Sequence, residues 1–385
     1  MTKSVFSARL VIFLLVPVCL IWACTSGQEG WQGTFEEVDG TMVVRNPKAP
    51  IHTDPVLELE EDLRIGEAEG PEDYMFTNIR SLAVDANGNI YVADNDDACI
   101  KVYNSEGEFV RRISQKGQGP GELGRPYGVQ VINNQEVMVH DGANRRVHYF
   151  SREGDFLRDV AFGKLWHLDC LSDGREFYYA MVMFRDEDFS GFKLMQLNRE
   201  LQETRTFYEW PMSYDPDAPI RVHAPNLNFG IMSDGHLIMG WSESYELKVF
   251  NPDGSMRTHI FRDYDHVPVT SADVEEIEQE IARRPSDLLS QRERIFPDHY
   301  PAYMAFLPDD EGRIIVQTYE KSGGEGDYIF DVFNAKGQFL GSFPFHIMPL
   351  VWKADRAYTI EEDDDGFHIV RRYSIRYSAG VRPSE

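Results

Sequence analysis

A repeat of 47 residues limits what this chain can fold into more than any other feature. Gly107 and Gly154 are 47 residues apart, and so are Asp94 and Asp141. The first unit, Leu82 to Arg112 (LAVDANGNIYVADNDDACIKVYNSEGEFVRR), reads as four short strands separated by turns. Asn87-Gly88 is a strong hairpin signal, because both residues tolerate positive φ. The second unit, Val129 to Asp159, places Asn133-Asn134 at that turn and Glu153-Gly154 where the first has Glu106-Gly107. Alternating strands with almost no helix cannot bury their apolar faces one unit at a time. Stacked units can, and this spacing falls within the ~40–50 residues of radially repeated four-stranded sheets.

Four fainter units follow. Ser172-Asp173-Gly174, Ser233-Asp234-Gly235, Asp310-Glu311-Gly312 and Asp364-Asp365-Gly366 read as inner turns. Asn198-Arg199-Glu200, Pro252-Asp253-Gly254 and Ala335-Lys336-Gly337 read as outer ones. Six units give an all-β, six-bladed β-propeller over residues 34–376, followed by a 377–385 tail. The sixth unit is short of strands. Thr34 to Val44, with its Asp39-Gly40 turn, and Val56 to Leu59 are expected to complete it and close the ring without an exposed edge. Residues 270–291 break the pattern. Thr270 and Asp273 form a capping box, and Val274, Ile277 and Ile281 make one apolar stripe, so a helical insertion is expected between blades four and five.

The amino terminus is of another kind. Lys3 and Arg9 precede an apolar run from Leu10 to Leu20, the layout of a secretory signal. Ile21-Trp22-Ala23-Cys24 resembles the lipobox of bacterial lipoproteins. That resemblance implies cleavage before Cys24, acylation of Cys24 and a polar tether over residues 25–33. Thr25 after the cysteine fits sorting to the outer membrane, facing the periplasm. Without residues 1–24, Lys+Arg falls from 38 to 36 while Asp+Glu stays at 64, which leaves a formal charge of −28. A body this acidic is repelled by nucleic acid. Cys99 and Cys170 fall in different blades and are expected to be separate buried thiols.

The segment GNIYVAD followed by IKVYNSEGEFVRRISQKGQGPGEL resembles the NHL-repeat-like six-bladed propeller lipoproteins of bacteria. This implies a ring with a central channel and a place in the cell envelope, but no single activity. The residues themselves show no recognisable catalytic set. Gly117 to Gly121 lacks the helix and lysine of a phosphate loop. Asp94 to Asp97 and Glu361 to Gly366 lack the spacing of a calcium loop. His140-Asp141 reads as structural, with the Asp closing its loop toward Asn144 and Arg145. No catalytic residue, metal ligand or cofactor is assigned.

Side chains from every blade converge at the channel mouth. Alignment on the inner turns puts Arg80, Tyr127, Trp166, Leu227 and Met304 in one register, and Ser81, Gly128, His167, Asn228 and Ala305 in the next. Arg80, Tyr127, Trp166, His167, Asn226 and Asn228 are the binding candidates. The reading is a membrane-tethered, non-catalytic scaffold for a protein or small ligand. The alternatives are a metal-dependent hydrolase or lyase with its site in the channel, which needs several converging ligands where the sequence offers only Asn228 and His167, with Asn226 and His223 nearby, and a structural envelope protein.

Overall fold

Asn and Asp side chains decide where this chain turns. In the computed structural model, the Asp85 carboxylate accepts backbone N–H bonds from Asn87 and Asn89. Asn104, Asn334 and Asp363 likewise accept from the residues two and four positions on. Each of these loops also uses a glycine in the left-handed region, with φ from 79° to 83° at Gly88, Gly107, Gly337 and Gly366. An Asx turn and such a glycine together reverse the chain over a few residues. The acidic run at Glu361 to Gly366 is therefore a hairpin turn, and Asp364 and Asp365 are exposed to solvent.

The structure describes residues 30–162, 168–172, 178–185, 190–211, 218–283, 292–323, 327–378 and 381. Among these, the strands form six antiparallel blades whose inner strands are Ile79–Val84, Pro126–Ile132, Leu168–Ser172, Leu227–Ile231, Ala305–Pro308 and Val351–Lys353. The chain is a six-bladed, all-β propeller, with one α-helix among the described residues, α1 (Ser271–Arg283). Residues 1–29, with Cys24 and most of the tether, lie outside the described residues. So do 284–291 of the expected helical insertion.

Blades adhere through apolar side chains. Ile100 and Val102 of blade 1 pack with Val129, Val139 and Phe150 of blade 2, all buried. Burying one such side chain contributes about 1.5–3 kcal/mol, more than any single turn bond here.

Ring closure differs in part from the expectation. Strand β3 (Leu57–Ile65) pairs antiparallel with His368–Tyr377 and completes blade 6 as its outer strand. The hairpin of β1 (Thr34–Val38) and β2 (Thr41–Asn46) does not join that blade. Instead β2 pairs in parallel with Met256–Arg262 and widens blade 4 to six strands. Residues 51–56 then run beside the outer strand of blade 5, with bonds from Ile51, His52 and Val56 to Phe339, Leu340 and Ser342. The amino-terminal segment is thus a belt across three blades. Asn46, 2 % exposed, fastens it. Its amide donates to the Gly337 and Phe261 carbonyls and accepts from Phe339 N–H and Trp31 Nε1.

The sixth blade also turns at another place than expected. Asp364 to Gly366 joins its second and third strands, and the inner turn is Ala354-Asp355, with φ 51° and 54°. Helix α1 starts at the expected box: Thr270 N–H donates to Asp273 Oδ2 (2.8 Å), and Asp273 N–H to Thr270 Oγ1 (3.3 Å). Val274, Ile277 and Ile281 are half-buried, and no residue of the helix is fully buried.

Candidate functional site: the central channel

The inner strands surround a channel of about 470 Å³, a size typical of small-ligand sites. Val131, Phe229, Ile231 and Leu307 make much of its wall apolar, and Arg80, Ser81, Gln130 and Lys353 supply polar groups. Lys353 comes from the inner strand of blade 6 and donates to the Val84 carbonyl of blade 1 (2.9 Å). Sequence reasoning missed it, because the unmarked Ala354-Asp355 turn hid that strand.

Strand geometry places the mouth residues. In blade 1 the ladder pairs Ile79 with Asp94 and then Ser81 with Ala93, which leaves Arg80 as the extra residue of a bulge. In blade 2, Pro126 pairs with Asp141 and Gly128 with His140, so Tyr127 is the extra residue at the equivalent position. A bulge re-aims a side chain at a strand end. Arg80 is exposed and forms no hydrogen bond or ion pair among the described residues. Tyr127 is 44 % exposed, and its ring lies over Gly142, where any Cβ would meet it at 2.3 Å.

Buried carboxylates hold both bulged strands. Asp94 accepts from Thr77 N–H (3.0 Å), the Thr77 hydroxyl and Asn78 N–H (3.1 Å), and buried Lys101 lies 3.4 Å away. Asp141 accepts from the N–H groups of Gly124, Arg125, Ala143 and Asn144 (2.7–3.2 Å). Burial alone would raise the Asp141 carboxyl, but the His148 imidazole 3.7 Å away and hydrogen bonds from the Arg125, Gly124 and Asn144 amides outweigh it and lower its pKa to about 2. The structural reading of this Asp is thus correct, and its loop closes on Asn144.

Blade 4 has no bulge between its first two strands. Leu227 pairs directly with Trp241 and Asn228 with Gly240, so Leu227 is buried and does not share the register of Arg80. Asn226 and Asn228 do come together. Asn228 Nδ2 donates to Asn226 Oδ1 (3.0 Å) and to the Met304 carbonyl (3.5 Å), and the Ser242 hydroxyl also donates to Asn226 Oδ1. Both asparagines brace the loop before their strand.

In blade 3 the last ladder pair, Ser172 with Tyr178, spans the same six residues as Val84 with Ile90 in blade 1, but Gly174 follows Ser172 by two positions where Gly88 follows Val84 by four, so alignment on the glycines shifts the register by two. Asp169, paired with Met181, occupies the position equivalent to Ser81, Gly128, Asn228 and Ala305 that was expected for His167. Trp166 and His167 themselves lie outside the described residues.

A second concavity, also about 470 Å³, opens on the face where the inner strands of blades 4 and 5 begin. His223, His266, His299 and Tyr300 line it. His223 is held at φ 52° and meets Tyr300 and Tyr319 edge-on at 4.7 and 5.8 Å. Burial lowers its pKa, and Asp273 partly opposes this. Among the described residues, no three His, Cys, Asp or Glu side chains are grouped to hold a metal ion. Cys99 is a free, buried thiol pushed up to about 11 by desolvation, as an inert core residue would be.

Comparison with known proteins agrees with this architecture. The family model described as 6-bladed beta-propeller (DUF5128) matches residues 68–284. A Bacteroides fragilis protein described as exported superposes with a TM-score of 0.52 at 12 % identity, over 87 % of this chain and 99 % of its own. A member of the duf4221 family from Bacteroides vulgatus gives 0.52 at 13 % identity, over 85 % of this chain and 100 % of its own. No curated protein matches at a significant level.

Proposed function

The chain belongs to the DUF5128 family of six-bladed β-propellers, and we propose that it is an envelope lipoprotein, tethered through Cys24, whose propeller binds a ligand or partner at the channel mouth. Arg80 carries this reading. A bulge turns a cation, unpaired among the described residues, toward a cavity with apolar walls, whereas Ser81, Asn226, Asn228 and Lys353 serve internal bonds. Such a pocket with a few convergent polar groups is the ordinary form of a binding site. The exported Bacteroides neighbour supports an envelope location. No helix among the described residues is long and apolar enough to cross a membrane, so attachment in this reading depends on the lipid.

Binding without chemistry is favoured because the channel brings together no pair of nucleophile and base among its described lining residues. One experiment tests the anchor and the site together. Cells carrying the wild-type chain, Cys24→Ser or Arg80→Glu are grown with labelled palmitate, fractionated and treated with a crosslinker. The wild type is expected to carry label and to sediment with membranes. Cys24→Ser should lose both, and Arg80→Glu should keep them while losing crosslinked products. Label and sedimentation unchanged in Cys24→Ser would refute the anchor. Crosslinks unchanged in Arg80→Glu would refute the site.

A further inference from the structure

The channel and the rest of the molecule differ in sign of charge. The body after residue 24 carries a formal charge of −28. Yet the charged side chains among the described lining residues of the channel are Arg80 and Lys353. Arg80 stands at the end where the inner strands begin. Lys353 stands at the other end, next to the Ala354-Asp355 turn, with one bond given to the Val84 carbonyl and two ammonium donors left over. Between them the wall is built from Val131, Phe229, Ile231 and Leu307.

We infer that the channel binds a small organic anion, its acidic group paired with Arg80 and its apolar body lying against Val131, Phe229 and Leu307. This rests on the reading of the channel as the binding site. A guanidinium presents a planar fork of donors that fits the two oxygens of a carboxylate, and the same fork fits a sulfonate or phosphate. Arg80 is exposed to solvent, but a ligand whose apolar body covers it displaces the screening water and strengthens the pair. The acidic exterior repels anions in general. The channel therefore selects for a molecule whose apolar part repays entry, over inorganic anions that have no such part. Lys353 offers a second anchor to a ligand that is polar at its far end.

Calorimetry on the purified full chain with two probes tests this. 1-Naphthaleneacetate and 1-naphthaleneacetamide share one aromatic body and differ in charge. The acetate is expected to bind one per chain, about tenfold or more tighter than the amide, as a charge-assisted bond predicts. Arg80→Gln should bring the acetate down to the level of the amide, and Arg80→Lys should restore part of the difference. Equal affinities for the two probes, unchanged in Arg80→Gln, overturn the anionic class. If Val131→Trp, which fills the channel, then abolishes both, the channel remains the site. If neither probe responds to Val131→Trp, or neither binds, the channel reading falls as well. Thermal melting of each variant checks that it is folded.

Discussion

Blades 1 and 2 solve the same problem as blade 4 by different chemistry. In each, a backbone bond ties the loop before the inner strand to the hairpin beyond the second one: Asn95 to Asn78, Gly142 to Arg125, Ser242 to Asn226. In blades 1 and 2 a fully buried aspartate gathers the N–H groups of that loop, and a bulge follows. Blade 4 has Trp241 at the aspartate position. There the Ser242 hydroxyl accepts from Asn226 N–H and donates to Asn226 Oδ1, a neutral substitute with fewer bonds. The carboxylate fixes loop length as well as conformation, since both loops it organises carry the 47-residue repeat. Blade 4 lacks it, and the histidine-lined hollow opens beside the loop that enters this blade, which carries His223. Charge buried at the mouth thus fixes the loops that enter blades 1 and 2.

Breaking the charged version should cost most. Asp94→Ala takes from Lys101, 1 % exposed, its fully buried counter-charge, leaving only the partly exposed Asp97 at 3.2 Å, and leaves three donors of the Thr77-Asn78 loop without an acceptor. The expected loss is about 3–5 kcal/mol, read as a shifted denaturant midpoint. Asp141 gives the second test, by pH. Its folded pKa, about 2, lies below the ordinary ~3.9 of an unfolded aspartate. The stability it contributes is present above that unfolded value and is lost as pH falls through the folded one. About 2 kcal/mol should disappear between pH 4 and pH 2. In Asp141→Asn this share of the acid slope should be missing, and an unchanged slope would show that the carboxylate does not hold the loop.

The neutral version should be cheaper to break. Ser242→Ala removes a buried hydroxyl and leaves Asn226 N–H without its acceptor, at about 1–2 kcal/mol. A loss as large as that of Asp94→Ala would mean that burial of charge is not what separates the blades.

The same contrast explains what could be read from sequence. Blades 1 and 2 were legible because a shared carboxylate keeps their turns 47 residues apart. Blade 3 drifted by two residues because its turn glycine, Gly174, comes two positions earlier after the inner strand than Gly88 does, and alignment then put His167 where Asp169 stands. Blade 6 hid its inner turn because Ala354-Asp355 enters the left-handed region without glycine or asparagine. The bulges that free Arg80 and Tyr127 have no periodic signature, although the inner-turn alignment did place both at the mouth. The addition of β2 to blade 4 depends on Asn46 finding Phe261, Gly337 and Phe339, all far away in sequence, which no local pattern encodes.

The smallest effect expected is at the insertion. Thr270 and Asp273 cap α1, and Asp273 also faces Lys321 at 3.6 Å. Losing an N-cap costs about 1 kcal/mol. Yet the helix buries no residue fully and belongs to no blade, so it can fray while the ring stays closed. Thr270→Ala should therefore leave the global melting temperature within error and speed amide exchange at Asp273 and Val274, the first turn of the helix. Exchange in Ile314–Lys321 of blade 5 should be unchanged. If the melting temperature fell with the cap, the insertion would be part of what holds blades 4 and 5 together, and the loss of the aspartate in blade 4 would have been compensated by the helix rather than by Ser242.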